Sequence, residues 1–117
     1  MSVLDKFGQF IIENLRDKAI EQNEMLLGGK LKAKNLHELQ QMVAALPDKQ
    51  KDLIRQVVRD LLNTAIHDFL FALQDAHDRR HGIEVLVDGE NIAEASGMLH
   101  GEHLGDQGWI ERFSRFS

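Results

Sequence analysis

Six histidines and no cysteine set the chemistry this 117-residue chain could attempt. Without thiols there is no disulfide, no thiolate metal site and no cysteine nucleophile. His77 and His81 stand four apart, which aligns two imidazoles on one helix face for chelation. The segment His100-Gly101-Glu102-His103 adds two more imidazoles and a carboxylate in a glycine-broken loop. Together these could hold zinc or another transition metal. His67 beside Asp68 could supply acid–base chemistry, with Glu102 as a second carboxyl. The sharp reading is a small metal-dependent hydrolase using His67, Asp68, His77, His81, His100, Glu102 and His103.

A plainer role stands beside each of these residues. Histidines near a helix C-terminus favour the macrodipole without any metal. The His100–His103 segment lacks the helical geometry of a His-Glu-x-x-His protease site. Asp68 can anchor a backbone amide of an overlying loop, and His67 winds to the side opposite the apolar stripe, where it can simply be exposed. No Gly-x-Gly-x-x-Gly, phosphate loop or Gly-x-Ser-x-Gly elbow occurs. The expectation is therefore no catalytic, cofactor-binding or metal site, with Asp68, Trp109 and Phe113 as structural or interaction residues.

The elements that must position these groups are mostly helical. Ser2 to Asp5 forms a capping pattern. Leu4, Phe7, Ile11, Leu15, Ala19 and Leu26 then recur near helical spacing, and Gly28-Gly29 ends the run, so a first helix spans 3–27. Gly8 inside it reads as a tolerated glycine. After a linker with Lys30, Lys32 and Lys34, Asn35 is the expected cap of a second helix, with Glu38 at the reciprocal position and Pro47 as the stop. Asp48 is the expected cap of a third helix, running to Arg80. Its stripe reads Ile54, Val58, Leu61, Ala65, Phe69, Ala72 and Ala76, and residues 66–73 are apolar almost all round, which predicts cover on several sides. At about 50 Å this helix exceeds the diameter of a compact domain of this size, so it either breaks near Asn63-Thr64 or projects.

The last third changes character. Residues 83–87 are a β-branched run before Asp88-Gly89, a type I′ turn signal. A return strand over 90–94 would set Val85 opposite Ile92; the rival reading starts a helix at Asn91 that ends near Ser96. Glycine-broken loop follows, and Trp109, Phe113 and Phe116 share one face of a short terminal helix. The fold class is mainly α with a small β component: a three-helix core with one long central helix, a β-hairpin and a short terminal helix, in a single domain over 1–117.

Charge is segregated. Residues 1–80 carry 12 acids and 12 Lys/Arg, whereas 81–117 carry seven acids and only Arg112 and Arg115, which accounts for the net −5. An acidic segment repels phosphate, so nucleic acid is not an expected partner. Nothing reads as a signal peptide or a membrane-spanning run, so the chain is expected to be cytoplasmic with no membrane partner.

Three stretches carry a resemblance: His67-Asp68-Phe69-Leu70-Phe71-Ala72-Leu73, Val87-Asp88-Gly89-Glu90-Asn91-Ile92-Ala93-Glu94, and Leu99-His100-Gly101-Glu102 with Gly108-Trp109-Ile110-Glu111-Arg112-Phe113-Ser114. They resemble a group of small bacterial proteins of unknown function. The resemblance covers mainly the C-terminal half, implies a bacterial cytoplasmic origin and assigns no residue a role. The leading functional expectation is a non-enzymatic protein–protein interaction or accessory (immunity-type) module whose partner is another protein or a second copy of itself. The hydrolase is the alternative.

Overall fold

The computed structural model describes residues 1–116. The first helix covers the expected span but is not uniform. It comprises α1 (Val3–Ile11), one π-helical turn (Ile12–Arg16) and α2 (Asp17–Leu27). Ser2 caps it through the Asp5 amide at 3.1 Å. Lys30 and Gly29 donate back to the Met25 and Leu26 carbonyls, closing its C-terminus as a Schellman motif.

The π turn corrects the expected burial. In it Asp17 donates to the carbonyl of Ile12, five residues back, so the turn holds one extra residue. Everything downstream is rotated by one position. Leu15 is 47 % exposed, and Arg16, Ile20 and Leu27 are buried where Leu15, Ala19 and Leu26 were expected.

Asn35 does not cap the second helix. A 3₁₀ turn (Lys34–Leu36) leads into α3 (His37–Ala44) with no side-chain cap. The linker is pinned instead by Gln40, whose amide accepts from the Leu31 N–H at 2.7 Å and donates to its carbonyl at 3.0 Å. Nor does Asp48 cap the third. Pro47 takes the extended cap conformation and Asp48 is the first helical residue, where its charge favours the helix dipole.

From there α4 (Asp48–Asp78) runs 31 residues with no interruption at Asn63-Thr64. It projects rather than breaks. The radius of gyration is 16.8 Å and the extents are 48 × 30 × 22 Å, against roughly 13 Å for a compact chain of this length. Its C-terminus is a second Schellman closure, with Arg80 at φ +56° in the position that favours glycine.

The hairpin is short. β1 (Leu86–Val87) pairs with β2 (Glu90–Asn91) in the register Leu86↔Asn91 and Val87↔Glu90. The Ile92 N–H donates to Val85 at 3.1 Å, the expected partner. Asp88 and Gly89 both adopt positive φ, as a type I′ turn requires. The return strand nonetheless ends at Asn91, because the Asn91 side chain accepts from the amides of Ala93 and Glu94 and starts α5 (Ile92–Ser96). The helical reading of this segment is the observed one. A 3₁₀ turn (Leu99–Gly101) and α6 (Trp109–Phe113) complete the chain. Phe116 lies beyond α6, so it does not share a helical face with Trp109 and Phe113.

The core gathers Ile11, Ile12, Ile66, Leu70, Leu73, Ile92, Ala93, Leu99 and Trp109. It joins α1 and the π turn to the C-terminal half of α4 under α5, the 3₁₀ turn and α6. α3 packs on α2 and contributes no buried side chain. Gly8 is required by the core rather than tolerated: a Cβ there would overlap the fully buried Trp109 indole. No helix among the described residues is long and apolar enough to cross a membrane.

Candidate functional site

The buried face of α4 is Ile66, Leu70, Leu73, Gln74 and Ala76. Cover therefore comes from one side, not several, and Phe69 and Phe71 are 53 % and 51 % exposed. Asp68 is two residues from both Ile66 and Leu70, about 200° around the helix. It lies on the open side with its side chain 72 % exposed, contrary to the expectation of a covered carboxylate. The anchoring role expected of it belongs to Gln74. Its buried amide accepts from the Leu99 N–H at 3.0 Å and donates to the Ala93 carbonyl at 3.2 Å, tying α5 and the 3₁₀ turn to α4.

Three of the six histidines meet. The His67 ring lies 5.6 Å from that of His100 and 6.0 Å from that of His103, between centroids. Phe71 meets His100 edge-on at 5.0 Å. His67 Nδ1 is 3.2 Å from the Asp68 carboxylate. His103 is fully buried, and neither of its ring nitrogens has a hydrogen-bond partner; His100 Nδ1 has none either. Burial, then the neighbouring His67 and His100, push the His103 pKa down to about 4. His67, His103, Asn63, Thr64 and Leu104 line a recess of about 220 Å³.

His77 does not join this group. It stands ten residues beyond His67, about 15 Å along the helix, and lines a separate recess with Arg80 and Glu84. His81 follows the Schellman closure and is exposed. Glu102 accepts from the Ser96 hydroxyl at 2.8 Å, which commits one carboxylate oxygen to holding α5. Among the described residues, no three His, Asp or Glu side chains stand as a closed metal-ligand set. Trp109 is core, and Phe113 packs against it half-buried.

A second buried polar constellation lies under the C-terminal segment. Arg16 and Asp17 are 2 % and 0 % exposed and 3.7 Å apart. Arg16 donates to Asn63 Oδ1, Ser114 Oγ and the Phe116 carbonyl at 2.7–2.9 Å. Asp17 accepts from Ser114 Oγ at 2.6 Å and from the Arg115 N–H at 2.8 Å. Burial lowers the Arg16 pKa while Asp17 opposes the shift. Arg16 and Asp17 strap residues 114–116 onto helix 1, and the Arg16–Asn63 bond ties helix 1 to α4. The sequence held a signal for it: Arg16 lies four residues from both Ile12 and Ile20, inside their stripe.

The third feature is what α4 leaves open. Leu53, Val57, Leu61 and Phe69 are 60, 47, 64 and 53 % exposed, and with exposed Ala65 they form one i, i+4 ridge. A search of protein families, a search of curated proteins and a search of solved structures each returned no match.

Proposed function

We propose that the chain is a non-enzymatic interaction module that pairs with a second copy of itself along α4. The observation that carries this reading is the exposed apolar ridge from Leu53 to Phe69, four large side chains each about half exposed or more. Contiguous apolar surface of this kind marks an interaction site, and i±4 ridges pack into the grooves of a facing helix.

Charge favours a second copy as the occupant. Residues 48–63 hold Lys49, Lys51, Arg55 and Arg59 against Asp48, Asp52 and Asp60, a net of +1; residues 64–78 hold Asp68, Asp75 and Asp78 and no Lys or Arg, a net of −3. An antiparallel two-fold pairing centred on Leu61 sets Leu53 against Phe69 and Val57 against Ala65. It also turns the basic half of one helix toward the acidic half of the other. Such self-complementarity is what an isologous interface demands. Parallel pairing would oppose like halves.

Sedimentation equilibrium across a micromolar to near-millimolar range tests this. The expected result is a monomer–dimer equilibrium that Leu61→Lys abolishes without loss of helicity, because two lysines would then meet on the two-fold. A wild-type chain that stays monomeric throughout, or a dimer indifferent to Leu61→Lys, overturns the reading.

A further inference from the structure

We propose that His67, His100 and His103 form a binding site for one divalent transition-metal ion, with Asp68 as the carboxylate that orients His67. The site comes from two elements 33 residues apart in sequence. α4 supplies His67, and the 3₁₀ turn with its following loop supplies the other two.

Unmet chemistry in the core is the first support. A neutral imidazole carries one N–H donor and one lone-pair acceptor. His103 is fully buried with neither satisfied, and His100 Nδ1 is likewise without a partner. Such orphans are rare, and an ion is one of the few things that relieves them. A leucine in place of His103 would fill the same space without this cost, so the polarity of the position needs a reason.

Orientation is the second. His67 Nδ1 faces the Asp68 carboxylate at 3.2 Å. An N–H directed at that carboxylate leaves Nε2 as the free lone pair, the arrangement that outer carboxylates impose on metal-bound histidines. Phe71 meets the His100 ring in a T-shaped contact at 5.0 Å.

Spacing is the third. With metal–nitrogen bonds of about 2.0–2.1 Å, imidazole rings around a tetrahedral ion have centroids roughly 5 Å apart. The observed separations are 5.6 and 6.0 Å. The rings are thus not in closed ligand positions, and the site would have to close around the ion. His67 has the freedom to move, being 42 % exposed at the side chain.

Three neutral nitrogens without a thiolate favour zinc, copper or nickel over calcium and magnesium, which prefer oxygen. The fourth position would face the recess by Asn63, Thr64 and Leu104, which has room for water or a small anion. Because one ligand lies on α4 and two on the loop, binding would clamp residues 100–103 to the long helix. The ridge plays no part in this, so the site stands whether or not the chain dimerises.

The test uses the full chain without a histidine tag, stripped with chelator. Zinc chloride is titrated by calorimetry, and cobalt(II) by its visible absorption. The expected result is one ion per chain, the intense visible bands of a low-coordinate cobalt site, and a melting temperature that rises with free zinc. His67→Gln and His103→Leu should each weaken zinc at least tenfold, Asp68→Asn about tenfold, and His77→Gln not at all. His67 lies at the surface, so its variant keeps the test alive should His103→Leu disturb the core. No stoichiometric uptake, uptake unchanged in both the His67 and His103 variants, or loss through His77→Gln instead each overturns the site.

Discussion

The two halves of α4 present the same kind of sequence and live in different surroundings. Residues 66–76 give five buried positions to a core roofed by α5, the 3₁₀ turn and α6; residues 48–63 give none. The first half is held mainly by polar contacts at its sides, such as Arg55 with Glu24 and Asn63 with Arg16. Both halves carry an apolar stripe. What separates them is supply: α5, the 3₁₀ turn and α6 close the core that the second half joins, whereas the first half meets helix 1, through α2 and Arg16, and buries nothing. The roofed stripe is architecture, and the unroofed one is the surface on which the proposed pairing rests.

The contrast can be broken most violently at the closed end. Arg16→Met removes the cation that balances fully buried Asp17 and should cost about 3–5 kcal/mol in urea denaturation, since it leaves a charge uncompensated. Gly8→Ala forces a methyl group into the Trp109 indole. The expected loss is about 3 kcal/mol, at the upper end for overpacking, with a shift of tryptophan emission toward water.

Acid should reach the same end. His103 is buried neutral with its pKa lowered to about 4 from 6.5. The folded state therefore resists a proton that the unfolded chain accepts. Stability from this group is complete above pH 6.5 and falls as pH drops toward about 4. The total loss is about 3 kcal/mol at roughly 1.4 kcal/mol per pH unit. Metal-free protein followed from pH 7.5 to 4 should show that slope, and His103→Leu should flatten it.

At the open end, Leu53→Ser should change monomer stability by less than about 0.5 kcal/mol, as exposed substitutions do. A loss comparable to that of the core variants, measured at a concentration where the chain is monomeric, would erase the distinction between the halves. A last substitution sharpens it by pointing the other way. Arg80→Gly relieves a positive φ at the end of α4 and should raise stability by about 1 kcal/mol.

Much of this frame was legible from local chemistry. The span of helix 1, a long helix from Asp48 (expected to Arg80, ending at Asp78), the Asp88-Gly89 turn and its register follow from the Ser2 cap, glycines and periodicity, all of which act within a few residues. What was not legible depends on contacts far apart in sequence. Periodicity reveals that α4 has apolar residues but not which of them will be covered, so Leu61, Ala65 and Phe69 read as core and are open. The same gap makes Asp68 look covered, and Gln74, which anchors the roof, carries no local mark. Among the histidines, local spacing singles out His77 and His81. The group that assembles joins His67 to His100 and His103 through a fold-back no local pattern announces. Gly8 read as tolerated because its reason, Trp109, lies 101 residues away.

The extra residue in the π turn makes helix 1 behave like a gear set one tooth forward. Regular winding of the same residues would rotate the rest of the helix by about 100°, turn Leu15, Ala19 and Leu26 inward and take Arg16 and Asp17 out of the seat they now share with Ser114. Deleting Asn14, which is exposed within that turn, would instead let the Asp17 N–H reach the Ile12 carbonyl at the ordinary four-residue spacing and keep Arg16, Ile20 and Leu27 buried. The latch on residues 114–116 therefore rests on the turn absorbing its extra residue. An apparent irregularity in one turn thus decides whether the two ends of the protein are fastened together.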